Sequence, residues 1–85
     1  MKPFIERLQS AQQTWKYVIP EVDLPPSVTW IRWLAAFRDA EIDRAILRVP
    51  ERFANQHPSA LDVHKYITAI LSILRKQRSH VMETV

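Results

Sequence analysis

The stretch Ser27-Val28-Thr29-Trp30-Ile31-Arg32-Trp33-Leu34-Ala35-Ala36-Phe37-Arg38-Asp39-Ala40-Glu41-Ile42-Asp43-Arg44-Ala45-Ile46-Leu47-Arg48-Val49-Pro50 decides the fold. Its large apolar residues recur at steps of three and four, the spacing at which side chains share one face of an α-helix. Trp30, Ile31, Leu34 and Phe37 make one such face, and Trp33 broadens it. After Arg38 the rhythm resumes with Ile42, Ala45, Ile46 and Val49. This predicts two helices, at about 27–38 and 40–49. Ser27 and Asp39 are the expected N-caps, their side-chain oxygens accepting first-turn backbone N–H groups. Glu41 and Asp43 fall in the early turns of the second helix, where the dipole favours negative charge. Pro50 ends or kinks that helix. The helix carrying Trp30, Trp33 and Phe37 is the expected centre of the core.

Upstream, Phe4, Leu8, Ala11, Trp15 and Val18 form a helical stripe over about 3–18, with Pro3 in the first turn, where a missing N–H costs nothing. Residues 20–26 carry three prolines and two acids, a stiff extended connector. Downstream, 51–58 reads as a second connector with Phe53 as its apolar anchor. Ser59-Ala60-Leu61-Asp62 then resembles a capping box with Asp in the usual Glu position. Val63, Ile67, Ile70, Leu71 and Leu74 give the last helix, about 59–77, its core face, and Tyr66 and Ile73 widen it. Residues 79–85 have little to bury and are expected to fray. No strand-like alternation and no repeat occurs. The expected fold is a single all-α domain over 1–85, a small four-helix orthogonal bundle.

Eighty-five residues suffice for one modest core. A composition of 47% hydrophobic and 25% charged residues excludes a disordered tail. The chain has no glycine, which removes the P-loop, the dinucleotide fingerprint and the nucleophile elbow. It has no cysteine, which removes disulfides and the common Cys-based zinc sites and points to a reducing, cytoplasmic compartment. His57, His64 and His80, with Asp62, match no compact metal spacing. Ser59, Thr68 and Ser72 have no evident base partner, and Asp39, Glu41 and Asp43 read as N-terminal helix acids. No catalytic residue, cofactor or metal is assigned, and the expectation is a protein that is not an enzyme. No apolar run approaches the ~18 residues of a membrane span.

The net charge of +3 is unevenly placed. Residues 1–43 hold five basic and six acidic side chains, whereas 44–85 hold seven basic and three acidic. Arg44, Arg48 and Arg52 step by four along one face. Arg75, Lys76 and Arg78, with His80, gather at a helix C-terminus, where the dipole favours positive charge. Two readings stand side by side. Either these are solvated faces with local Glu41–Arg44 and Glu51–Arg48 pairs, or they meet phosphates or an acidic partner. Trp15, Trp30, Trp33, Phe37, Phe53 and Tyr66 likewise read as core or as base-stacking platforms, with core favoured in so small a domain. Trp33, beside the main stripe, is expected to be partly exposed and to anchor an interface.

The order of elements also resembles a known family. Trp30-Ile31-Arg32-Trp33-Leu34, then Glu41-Ile42-Asp43-Arg44-Ala45-Ile46, then His57-Pro58-Ser59-Ala60-Leu61-Asp62-Val63 is similar to the folded N-terminal domain of the phage replicative-helicase loader/inhibitor family. Lys65-Tyr66-Ile67-Thr68-Ala69-Ile70-Leu71 resembles a stretch of DnaD-like replication proteins. The first resemblance covers roughly residues 4–64, and the second covers 65–71. The resemblance implies a replication-associated adaptor whose helical part is a platform and whose C-terminal part engages a hexameric helicase. The chain beyond Gln77 is short for that role. The leading expectation is therefore a protein-interaction module, in phage or plasmid DNA replication, using Trp33, Arg44, Arg48 and Arg52 on a protein partner such as a replicative helicase. The alternative is a small DNA-binding regulator using Arg44, Arg48, Arg75, Lys76 and Arg78, and a third is a phage-encoded inhibitor of a host complex. Either a monomer or a homodimer fits.

Overall fold

Helix α1, Phe4–Val18, starts where the carbonyl of Pro3 accepts from the backbone N–H groups of Glu6 and Arg7 at 3.1 and 3.2 Å. A computed structural model of the chain describes the backbone of residues 3–84 and the side chains of residues 3–77. Along α1 the expected row turns inward at Leu8, Ala11, Trp15 and Val18. Phe4, at the open end of that row, is 46% exposed. The proline-bearing connector is part of the core rather than a free spacer. Its Ile19, Val22 and Pro25 are buried, and the Val22 carbonyl accepts from Trp15 Nε1 at 2.9 Å.

Helix α2 spans Ser27–Ala36. Ser27 is its first helical residue and not its cap. Pro26, with φ −66° and ψ 161°, holds the N-cap position and its carbonyl accepts from Thr29 and Trp30. Helix α3 spans Asp39–Leu47 with Arg38 at the N-cap position. The Glu41 carboxylate reaches back to the Arg38 backbone N–H at 2.8 Å, satisfying one first-turn donor. Asp39, expected as the cap, instead accepts from Arg7 Nε at 2.7 Å, while Arg7 Nη2 donates to the Phe37 carbonyl at 3.3 Å. Arg7 thus ties α1 to the corner between α2 and α3.

Pro50 interrupts the helix and starts a new turn. Arg48 keeps helical angles, and α4, Val49–Arg52, follows as a single turn with Pro50 near its start, where no intrahelical donor is lost. The expected third helix is therefore shorter than 40–49, and the second connector begins helically. Asn55 then takes φ 65°, the left-handed conformation that Asn tolerates best in a chain without glycine.

Helix α5, Ala60–Thr84, opens on the predicted capping box. Ser59 Oγ accepts from the Asp62 N–H at 3.2 Å, and Asp62 Oδ2 accepts from the Ser59 N–H at 3.4 Å. Its backbone is helical seven residues past the expected end at Gln77. The side chains of the tail expected to fray, 79–85, lie outside the described residues.

The molecule is an all-α bundle, with no strand among the described residues. Its packing centre is α3, not α2 as expected, because α3 lies against both α1 and α5 and also touches α2. The small Ala45, fully buried on α3, lets neighbouring backbones come close. All fourteen clustered core residues, from Ala11 to Leu71, form one core.

Candidate functional site

Three indoles and an imidazole pack together where α1, α2 and α5 meet. Trp15 meets Trp30 edge to face at 5.9 Å, Trp30 meets Trp33 at 5.3 Å, and His64 of α5 approaches Trp15 at 5.7 Å. Such pairs contribute ~0.5–1.5 kcal/mol each beyond area burial. Trp33 is 3% exposed, so the expectation of a partly exposed anchor is corrected. The cause is the angle of the core face on α2. At about 100° per residue, Trp30, Trp33, Leu34 and Phe37 form one arc, and Ile31 falls outside it, 52% exposed.

Trp33 nevertheless borders an open concavity. Its Nε1 donates to Thr68 Oγ1 at 3.2 Å, bridging α2 to α5. The two helix backbones are otherwise held apart, and an open groove of about 690 Å³ runs between them. Thr29, Trp33 and Ala36 line one wall, and Leu61, His64 and Thr68 line the other. Each wall follows the helical repeat for about two turns. Arg32 and Lys65 lie along the same groove, both exposed, and no acidic residue lines it. Leu61 is 60% exposed although it borders this apolar trough. Other exposed apolar side chains, including Tyr17, Val28 and Leu47, do not line it.

A second, smaller recess of about 470 Å³ is lined by Arg48, Glu51, Arg52 and Tyr66. The Arg52 guanidinium stands 5.2 Å from the Phe53 ring centroid and 5.9 Å from that of Tyr66, and the two rings meet edge to face at 5.5 Å. Arg44, Arg48 and Arg52 are exposed, and none is ion-paired with another described residue. The expected Glu51–Arg48 pair does not form among the described residues, and Glu41 is engaged at the Arg38 backbone N–H. Arg75 and Lys76 are exposed on α5 about 14 Å beyond Tyr66 along the axis. The recess therefore gathers Arg48 and Arg52 but not those two, and Arg78 lies outside the described side chains.

No group of three or more His, Asp or Glu able to hold a metal ion occurs among the described residues. No helix described here is long and apolar enough to cross a membrane. The α2/α5 groove escaped sequence reasoning because its walls come from segments more than twenty residues apart. Only the exposed position of Leu61, off the core face of its helix, was a local signal. No family model, curated protein or solved structure matches the chain.

Proposed function

We propose that this chain is a non-enzymatic protein-interaction module that receives its partner in the α2/α5 groove. One observation carries the reading: a two-turn apolar trough floored by Trp33 and lipped by the exposed Leu61, with cations and no acids along it. A concave apolar surface of this kind on a folded domain is the usual form of a binding site. Trp33 acts here as floor, while Leu61, Arg32 and Lys65 make the contacts. The resemblance supplies the context, a cytoplasmic adaptor in phage or plasmid DNA replication with a helicase as partner.

Differential capture tests this. The immobilised protein, its Leu61→Glu/Lys65→Glu variant and its Arg44→Glu/Arg48→Glu variant are compared in lysate of the native host. The expected result is a partner retained by wild type and the arginine variant and lost from the groove variant. Retention by the groove variant contradicts the reading.

A second reading, nucleic-acid binding, is favoured by the arrangement around Arg52, where a guanidinium stacked on two rings lies beside the unpaired Arg48. Cations interleaved with aromatic rings suit a phosphate backbone and its bases. Anisotropy of labelled single-stranded and duplex DNA decides it. Affinity falling steeply with salt and lost in Arg48→Glu/Arg52→Glu supports it; no binding at low salt removes it.

A further inference from the structure

We propose that the occupant of the α2/α5 groove is an acidic amphipathic helix of a protein partner, an inference that rests on the groove being the partner surface. Shape selects a helix. Two turns of α-helix, about 10 Å wide and 10 Å long, fill roughly 800 Å³, and the groove measures about 690 Å³, with each wall following the helical repeat for about two turns. An added strand needs an exposed sheet edge, and no strand occurs among the described residues. A polyproline ligand needs exposed aromatic faces, and Trp33 is 3% exposed. Charge selects acidity. Arg32 and Lys65 are exposed along the groove, neither is ion-paired with a described residue, and no Asp or Glu lines it. A helix with apolar residues at i, i+3, i+4 and i+7 lays that stripe against the exposed Leu61 and Ala36, above the buried Trp33. Glutamates flanking the stripe then face Arg32 and Lys65. Nucleic acid is a poorer occupant, because the buried Trp33 ring offers no face for a base to stack on.

The test uses two helical peptides of about 15 residues that share one leucine stripe and differ in flanks, all Glu in one and all Lys in the other. Affinities are read by anisotropy, and sites by amide shifts in the full chain. The Glu peptide is expected to bind roughly tenfold or more tightly than the Lys peptide, shifting Thr29, Leu61 and Thr68. Arg32→Glu/Lys65→Glu should invert that order, and Leu61→Glu should weaken both. All three positions are exposed, so unchanged thermal melts show that the variants fold. Equal or tighter binding of the Lys peptide in the groove overturns the acidic preference and leaves the groove reading intact. Binding of neither peptide, or shifts confined to Arg48 and Arg52, overturns the inference, while differential capture judges the groove reading separately.

Discussion

Trp33 is a core residue that also floors the groove proposed to receive a partner. Its ring is enclosed by Trp15, Trp30 and His64, and its N–H crosses to Thr68. Truncation to alanine removes a large buried ring, for which losses of about 3–5 kcal/mol are typical. Trp33→Ala is therefore expected to lower the denaturant midpoint severely, since a domain of this size holds on the order of 4–13 kcal/mol in total. An unchanged midpoint would show that the ring is not core. Thr68→Val removes both the bond accepted from Trp33 Nε1 and the one that Thr68 Oγ1 donates to the His64 carbonyl at 2.9 Å, and by leaving the buried indole N–H unpaired it should cost about 1–3 kcal/mol by the same measurement. That Trp33 belongs to the core was only half legible in the sequence. Trp30, Ile31, Trp33 and Leu34 spread apolar surface over about 160° of α2, wider than one buried arc, so spacing alone leaves open which edge, Ile31 or Trp33, turns inward. Packing against Trp15 of α1 and His64 of α5 selects the arc that contains Trp33 and turns Ile31 outward.

The helix starts divide by whether their chemistry is local. The Ser59 to Asp62 box is complete within four residues, so it was readable from sequence and forms as read. Ser59→Ala should cost about 1 kcal/mol, checked by thermal unfolding, and an unchanged Tm would show that the box contributes nothing. Asp39 was read as a cap by the same logic, yet the long-range partner Arg7 takes its carboxylate. The side chains of that pair are 24% and 47% exposed, so Asp39→Asn should cost less than about 1 kcal/mol. The role of α3 was not legible, because a small residue such as Ala45 looks unremarkable in a helix until both flanking helices are in place. Ala45→Leu is expected to destabilise by about 1–3 kcal/mol through overpacking, more than the same change at the exposed Ala40. Equal effects in denaturant titrations would contradict the packing described for α3.

At the scale of the whole molecule, the dimensions are 41 × 29 × 19 Å. The shortest matches two helix diameters of about 10 Å, and the longest matches α5, whose 25 residues extend about 37 Å. In this thin bundle the groove and the arginine recess both lie open at the surface. That groove and the arginine recess compete for the functional role. The sequence showed the arginines because their spacing is local, and it hid the groove because Thr29 to Ala36 meets Leu61 to Thr68 only in the fold. The most direct measurement is an amide chemical-shift footprint of the captured natural partner on the isotopically labelled protein. Perturbations centred on Thr29, Arg32, Leu61 and Lys65 are the result this account predicts. Perturbations centred on Arg44, Arg48 and Arg52, with the groove silent, would contradict it.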